Sequence, residues 1–279
     1  MGILNVTPDS FSDGGRHLAA AAAIQHGLLL SAQGAAMVDV GGESTRPGAS
    51  RTPAEVEMER VLPVVQALTS AGVSVSIDTT RACVAEAAVA AGARMINDVS
   101  GGLADPQMAA AVSRLDVPYV VMHWRGHSAQ MQRRASYGDV VAEVRRELSA
   151  RVSELVSRGV KREQIVLDPG IGFAKHAHHN WRLLESVDTL AELGHALLVG
   201  VSRKSFLASS DSDPELAASM DERDVATAAA GALLAGQVSW LRVHDVRANV
   251  LAVRVAEKLG HFGSRPGTYA APSESVRND

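Results

Sequence analysis

Eight short apolar runs recur along the chain, and a longer segment with helical periodicity separates each from the next. The runs are rich in Val, Ile and Leu and lack strict polar alternation, which is typical of strands buried on both faces of a parallel sheet. They are Ile3–Val6, Met37–Val40, Val73–Ile77, Arg94–Ile96, Tyr119–Met122, Ile165–Leu167, Leu197–Val201 and Trp240–Val243. This alternation predicts an α/β fold.

Apolar residues spaced three and four apart predict helices over Leu18–Gln33, Pro53–Ser70, Arg81–Ala91, Pro106–Leu115, Gly138–Arg158, Asn180–Leu193, Arg223–Ala235 and Arg247–Leu259. A glycine follows seven of these segments, as expected at a helix C-cap: Gly34, Gly72, Gly92, Gly159, Gly194, Gly236 and Gly260. Eight such units most economically close into a single (β/α)8 TIM barrel. An open doubly wound sheet is the alternative, but no G-x-G-x-x-G follows the first run.

The predicted domain organisation is one barrel over residues 1–262 and a flexible tail over 263–279. The tail is rich in Pro, Ser and Gly and shows no periodicity. The whole protein has 279 residues, of which 46% are hydrophobic. The barrel segment is therefore large enough to bury a full core.

Composition excludes several classes of protein. A formal net charge of −4 argues against a generally basic nucleic-acid binder, and 4% aromatic residues argue against a base-stacking platform. No run of about 20 apolar residues exists that would span a membrane. The single cysteine, Cys83, excludes a disulfide framework, so a cytoplasmic enzyme fits best.

Polar residues collect where the predicted strands end. Function in such a barrel lies where strands end and βα loops begin. Solvation of loops explains any single polar residue there, but convergence of the whole set at one mouth predicts a site. The set is Asn5, Glu43, Thr45, Arg46, Asp78, Asn97, Asp98, His123, Asp168, Lys204, Arg242 and His244.

The types of these residues suggest two kinds of ligand group. Asp78, Asn97 and Asp168 form an acidic and amide pocket, which suits a heterocycle with adjacent ring N–H and amino groups. The SRKS segment at 202–205, with Arg242, His244 and Asn5, suits a phosphate or diphosphate. A diphosphate usually brings Mg²⁺, and Asn5 and Asp13 offer hard oxygen ligands.

Two long loops follow the first two strands. They read NVTPDSFSDGG at 5–15 and GGESTRPG at 41–48. Both are polar and punctuated by Gly and Pro, so we expect the β1–α1 and β2–α2 loops to fold over the carboxyl-terminal face as lids.

Eight sequence blocks, one at each strand end and in order, resemble the dihydropteroate synthases of the pterin-binding barrel family. Besides the first loop they are GAAMVDVGGESTRPG (34–48), SIDT (76–79), INDVSGG (96–102), VMH (121–123), LDPGIGFAK (167–175), SRKSF (202–206) and RVHDV (242–246). The resemblance covers roughly the whole barrel. It implies a transferase in folate biosynthesis that joins (7,8-dihydropterin-6-yl)methyl diphosphate to 4-aminobenzoate, giving 7,8-dihydropteroate and diphosphate. It also implies a sulfonamide target and a homodimer.

The resemblance assigns roles by position. It implies pterin diphosphate contacts from Thr45, Asp78, Asn97, Met122, Asp168, Phe173, Lys204, Arg242 and His244. Of these, Lys204, Arg242, His244 and Asp78 would act in catalysis. The implied 4-aminobenzoate site is Phe11, Arg46, Pro47 and Ser205, with Ser205 at the start of the next helix, where the dipole favours the carboxylate. The implied Mg²⁺ ligands are Asn5 and Asp13.

The amine of the second substrate is neutral at pH 7, so the expected path is dissociative and SN1-like, without a general base. Mg²⁺, Arg242 and His244 would stabilise the departing negative charge. Two alternatives share the same barrel: a folate-dependent methyltransferase domain and a non-catalytic pterin-binding paralogue. His176, His178 and His179 suggest a metal, but no carboxylate or Cys completes a zinc site and a solvated loop suffices.

Overall fold

Eight parallel strands form one sheet in sequence order. A computed structural model describes residues 1–7, 15–43, 51–126, 134–207 and 219–260, with the backbone alone for 15–18. The strands are β1 (Gly2–Asn5), β2 (Val38–Gly41), β3 (Val75–Asp78), β4 (Met95–Asp98), β5 (Tyr119–Met122), β6 (Ile165–Asp168), β7 (Ala196–Val199) and β8 (Trp240–Leu241).

The sheet closes on itself. Just beyond β8, Val243 pairs in parallel with Gly2 of β1. The Ile3 N–H donates to the Val243 carbonyl, and the Val243 N–H donates to the Met1 carbonyl, each at 2.9 Å. The predicted TIM barrel is therefore confirmed, and each of the eight apolar runs overlaps a strand.

The described residues form nine α-helices that alternate with the strands. They are α1 (Gly15–Ala32), α2 (Ala54–Ser70), α3 (Ala82–Ala90), α4 (Met108–Arg114), α5 (Val140–Ser157), α6 (Ala177–Glu185), α7 (Val187–Ala191), α8 (Met220–Leu234) and α9 (Val246–Lys258). Short 3-10 helices span Arg162–Gln164 and Ser205–Leu207. No helix in the described ranges has the length and apolar character to cross a membrane.

The predicted helix Asn180–Leu193 is two helices. The first helix begins at Ala177. The helical conformation is interrupted at Ser186 (φ −116°, ψ 28°), which caps the end of α6 and the start of α7. The seven glycines predicted at helix ends all have positive φ, between 73° and 107°. The barrel limit at residue 262 and the tail 263–279 lie beyond the last described residue and stay predictions.

Side chains alternate between two apolar layers along each strand. One set packs outward against the helices, as do Val40, Ile77 and Leu167. The other set fills the barrel interior as a separate cluster: Met1, Met37, Met95, Val120, Val166 and Leu198. Both faces of the sheet are buried, which explains why the strands read as continuous apolar runs.

The turn after β4 is fixed by a buried carboxylate. Asp98, fully buried, accepts from the Ser100 and Gly102 backbone N–H groups at 2.7 Å each and from the Tyr119 hydroxyl at 2.8 Å. These donors offset the cost of burying the carboxylate. They hold the turn directly after Asn97, one of the predicted site residues.

We predict that Tyr119→Phe lowers the free energy of unfolding by about 1.5–3 kcal/mol, because it removes a hydrogen bond to a buried charged acceptor. The matched control is Tyr137→Phe. That hydroxyl, in a half-buried side chain, donates to the neutral Ala174 carbonyl at 3.0 Å, so we expect a loss of about 0.5–1.5 kcal/mol. Urea titration followed by circular dichroism measures both, and equal losses would contradict the role given to the charge.

Candidate active site

The carboxyl-terminal ends of the strands bring most of the predicted pocket residues together. Asp78 ends β3, Asn97 is the third residue of β4, and Asp168 ends β6. In register, Asp78 lies beside Asn97, and Met122 lies beside Asp168. Each is two residues beyond an interior position, so the same alternation that places Met95, Val120 and Val166 in the barrel aims these residues into its mouth.

Arg242 crosses the mouth and pairs with two carboxylates. Its Nε donates to Asp39 Oδ2 at 2.6 Å, and its Nη2 donates to Asp78 Oδ2 at 2.7 Å. Asn97 Nδ2 also donates to Asp39 Oδ2, at 2.8 Å. Arg242, Asp78 and Asn97 were predicted site residues. Asp39 was not, although a charge between Val38 and Val40 in an apolar run was a signal for it.

Burial sets the charge of Asp78. It raises the pKa of this carboxyl to about 7, against the opposing effect of Arg242, and the nearby carboxylate of Asp39 raises it further. A carboxyl that titrates near neutral pH in a cleft is typical of a functional site.

Asp168 and Lys204 form the opposite wall. Burial raises the pKa of Asp168, although its carboxylate accepts from the Gly170 N–H at 2.7 Å. Burial lowers the pKa of Lys204 to about 8, with Asp168 opposing the shift. The Lys204 ammonium donates to the Ile171 carbonyl and lies 4.9 Å from the centre of the Phe173 ring. The predicted neighbours Asp168, Phe173 and Lys204 are therefore adjacent.

Glycines give the turn after β6 its shape. Gly170 and Gly172 have φ of 67° and 80°, a region that side chains disfavour. A Cβ on Gly172 would lie 2.9 Å from Lys204 Cδ. The DPGIG segment therefore leaves room for the lysine to reach the pocket.

His244 lies at the mouth beside the turn after β7. Its ring Nδ1 is 2.8 Å from the Ser202 hydroxyl, which also accepts from the His244 backbone N–H at 3.0 Å. The neighbouring Arg203 faces away and pairs with Asp224 of α8 at 2.8 Å. Of the two cations in SRKS, only Lys204 reaches the pocket.

Ser205 begins a helical element, as predicted, but this element is a 3-10 helix and not the α-helix that the dipole argument requires. Ser205 is exposed and starts a 3-10 helix of three residues, and α8 begins only at Met220. So short an element sums few peptide dipoles, which removes the electrostatic argument and leaves the hydroxyl and backbone N–H.

Three of the predicted strand-end residues do not face the cleft: Asp98, Glu43 and His123, the last of which contacts Glu147 of α5. Asp98 points to the helix layer and binds the turn after β4, as described above. Glu43 pairs at 2.5 Å with Arg81, which also pairs with the buried Glu57 of α2. These two carboxylates stabilise loops rather than line the mouth.

A second buried polar cluster supports the turn after β6, and it includes His123, which the sequence analysis placed at the mouth. Lys175 Nζ contacts His123 Nδ1 at 3.0 Å and donates to the Gly170 and Phe173 carbonyls at 3.1 Å each. His123 Nε2 in turn lies 2.8 Å from Glu147 of α5. Burial lowers the pKa of Lys175 to about 7 and that of His123 to about 4. His123 supports this turn because Glu147 of α5 contacts its ring. Sequence spacing does not reveal that α5 packs against the end of β5.

Of the two predicted Mg²⁺ ligands, Asn5 lies among the described residues and Asp13 does not. Asn5 ends β1 and is exposed, and its side chain makes no hydrogen bond to another described residue. Across the described ranges, no group of three His, Cys, Asp or Glu side chains is arranged to hold an ion, and this includes the histidines at 176, 178 and 179. The other predicted loop residues lie outside the described residues: Phe11, Asp13, Thr45, Arg46 and Pro47.

The mouth thus has one face that accepts hydrogen bonds and one that carries cations. Asp78, Asn97 and Asp168 each keep an oxygen that is unpaired among the described residues and not enclosed. The Nη1 group of Arg242 donates to no described residue. Such a cleft fits a flat heterocycle rich in donors, attached to an anionic group.

Comparison with known proteins gives a consistent result over nearly the whole chain. The model of the pterin-binding enzyme family matches residues 1–244. The chain is 52% identical over 266 residues to the dihydropteroate synthase of Mycobacterium leprae, covering 94% of each. Two structures of the Xanthomonas albilineans dihydropteroate synthase are similar, and each comparison covers 93% of this chain and 92% of theirs. The structure with 4-aminobenzoic acid has a TM-score of 0.85 at 42% identity, and the structure with 7,8-dihydropteroate has 0.82 at 40%.

We predict that Asp78→Asn stabilises the protein in a pH-dependent way. Between pH 4 and 7 the folded wild type holds a proton on Asp78 that the unfolded chain has released, so its stability falls as pH rises through this window. The variant lacks this loss. The free energy of unfolding of the variant, minus that of the wild type, should grow from pH 4 to 7 and level off above pH 7. The difference should reach on the order of 2 kcal/mol.

Urea titrations from pH 4.5 to 8.5 measure this difference. Asp116→Asn, which changes an exposed partner of Lys161, is the control and should show no such rise. A variant at position 78 that is uniformly less stable than the wild type would contradict the prediction.

Proposed function

The chain belongs to the pterin-binding enzymes and, within them, to the dihydropteroate synthases, and we propose that the mouth of its barrel performs their reaction with the residues described above. It is a transferase of folate biosynthesis that joins a pterinylmethyl group to 4-aminobenzoate. The observation that carries the residue assignment is the convergence at one mouth of two partly buried cations, Lys204 and Arg242, with three acceptor oxygens that have no partner among the described residues. Neither a methyltransferase nor a silent paralogue is favoured by any feature of the site.

The acceptor face suits the pterin ring. A dihydropterin presents an amino group and ring N–H groups along one edge, and Asp78, Asn97 and Asp168 supply acceptors for them. Met122 is buried beside Asp168, and Phe173 lies below Lys204, so both offer apolar surface to the ring faces. A donor left unpaired in this site would cost about 1–3 kcal/mol, which gives the pocket its selectivity.

The cationic face suits the diphosphate. Arg242 keeps Nη1 for an anion, His244 adjoins it, and Thr45 is proposed as a further contact. The exposed amide of Asn5 suits a hard cation that prefers oxygen ligands, so we assign Asn5 and Asp13 as ligands of Mg²⁺. Bound Mg²⁺ supplies a positive charge that stabilises diphosphate as a leaving group.

The reaction needs no strong base in this cleft. The C–O bond between the pterin methylene and diphosphate breaks, and the bonding pair leaves with diphosphate beside Arg242 and His244. The developing positive charge spreads into the dihydropterin, where the carboxylates of Asp78 and Asp168 stabilise it. The neutral aniline nitrogen then forms the C–N bond and releases one proton. Arg242 and Lys204 would contribute by placing positive charge beside the reacting groups and not by removing a proton.

The 4-aminobenzoate site is proposed beside Lys204. The Lys204 methylenes and Phe173 line one side, and the exposed Ser205 offers a hydroxyl and a backbone N–H to the carboxylate. Phe11, Arg46 and Pro47 are proposed to complete the site. A sulfonamide, which mimics this substrate, would occupy the same position.

The proposed homodimer has support in the helices α8 and α9 on the outside of the barrel. α8 and α9 pack together and expose large apolar side chains, which is unusual for a face that contacts only water. These are Met220, Val225, Leu233, Leu251, Val255 and Leu259. A two-fold contact through these helices would cover them and leave the mouth open. We also propose a cytoplasmic location, in keeping with the single cysteine.

A coupled assay with the dihydropterin diphosphate, 4-aminobenzoate and Mg²⁺ tests the activity, and Asp168→Asn tests the pocket. In this variant the amide can offer N–H where the ring needs an acceptor, so we expect pterin affinity to fall by about 1.5–3 kcal/mol or more. Calorimetry with a pterin measures the loss. Asp98→Asn is the control: its side chain faces the helix layer, so it should lower stability and leave pterin affinity nearly unchanged. Unchanged affinity in Asp168→Asn would contradict the assignment.

Ser205→Asp tests where the substrate carboxylate lies. The introduced carboxylate should repel it and raise the KM for 4-aminobenzoate at least tenfold, with little effect on the KM for the pterin substrate. Ser205→Ala should weaken 4-aminobenzoate by about 0.5–1.5 kcal/mol, the contribution of one hydrogen bond. Steady-state kinetics with each substrate varied separates these effects. A near-normal KM in Ser205→Asp would place the carboxylate elsewhere.

A further inference from the structure

Asp39 occupies an unusual position for a charged residue. It lies in the middle of β2, is fully buried, and shares the barrel interior with Met37, two residues earlier. Burying a carboxylate among methionines is costly unless donors reach it. Both of its donors come from the pocket wall, Arg242 and Asn97, and both meet the same oxygen, Oδ2.

We propose that Asp39 is the positioning residue that sets the hydrogen-bonding polarity of the pterin pocket, by turning the Asn97 carbonyl toward the ring and fixing the Arg242 guanidinium against Asp78. This inference rests on the proposed function. Asp39 is fully buried below the mouth, so it would act through its two partners and not by touching the substrate.

The effect on Asn97 follows from hydrogen-bonding capacity. An amide can present either its oxygen or its NH₂ group to the cleft. A carboxylate has no hydrogen to donate, so the NH₂ group must face Asp39 and the oxygen must face the cleft. Asn97 then matches the acceptors Asp78 and Asp168. Without Asp39, the Asn97 amide is free to turn. In the turned state its NH₂ group would face the N–H donors of the pterin ring.

The effect on Arg242 is geometric. Asp39 holds Nε, and Asp78 holds Nη2, so the two carboxylates fix the plane of the guanidinium from adjacent strands. Nη1 is thereby presented to the mouth. With Asp78 alone, the guanidinium can rotate about a single hydrogen bond.

Stability alone does not explain a carboxylate at this position. The second oxygen, Oδ1, is buried and has no hydrogen-bond partner among the described residues. A buried carboxylate paired on one side only is a weak stabiliser. Ser76 of β3, the register neighbour of Asp39, is equally buried, and its hydroxyl has no described partner either. Ser76 therefore provides a matched control in the same layer of the barrel.

The test compares Asp39→Leu, Asp39→Asn and Ser76→Ala in the full chain. Asp39→Leu should raise the Kd for 6-hydroxymethylpterin and the KM for the pterin substrate at least tenfold, while the KM for 4-aminobenzoate stays within twofold. Asp39→Asn keeps an acceptor oxygen and should lie within threefold of the wild type. Ser76→Ala should match the wild type. Should Asp39→Leu not fold, Asp39→Ser removes the carboxylate with room for water and is measured the same way.

A double-mutant cycle tests the route of the effect. If Asp39 acts through Asn97, the loss of pterin affinity caused by Asp39→Leu should shrink at least threefold in an Asn97→Ala background. Equal losses in both backgrounds, or a parallel rise in the KM for 4-aminobenzoate, would overturn the proposal. So would an unchanged pterin Kd in Asp39→Leu. Wild-type protein that binds no pterin would instead contradict the proposed function itself.

Discussion

The hydrogen-bonded ion pair of Arg242 with Asp39 and Asp78 is the interaction on which the mouth of the barrel depends. It joins the end of β8 to β2 and β3 across the interior, above a floor of methionines. Asp39 is fully buried and would be costly there alone, because charge burial costs several kcal/mol per ion. Together the three residues connect the last strand to the early ones, and through Asp39 they reach Asn97. The arrangement of the mouth and the closure of the barrel therefore share one set of contacts.

The same region carries charges that folding alone does not favour. Burial raises the pKa of Asp78 to about 7 and lowers those of Lys204 and Lys175 to about 8 and 7. Each shift means that the charged form is held at a cost to stability near neutral pH. A site that must bind donors on one side and an anion on the other needs these charges ready before the substrate arrives. The apolar layers elsewhere in the barrel offset their cost.

Much of the fold was predictable because βα alternation leaves a strong local signal. The eight strands, the barrel and the glycines at helix ends followed from run length, periodicity and turn chemistry. The convergence of Asp78, Asn97, Asp168, Lys204 and Arg242 at the mouth followed from their places at strand ends. The break at Ser186 and the short 3-10 helix at Ser205 did not, because helical periodicity does not show where backbone geometry stops a helix.

The sequence by itself determined the number of strands, their order and the end of the barrel that carries the chemistry. The tertiary structure decided which polar residues face the cleft. Asn97 and Asp98 are adjacent, yet one turns to the pocket and the other to the helix layer. Asp39, between two valines, supports the pocket from inside. A strand buried on both faces has no polar side, so its alternation shows that neighbours diverge but not which one points inward. Closure of the barrel makes that choice.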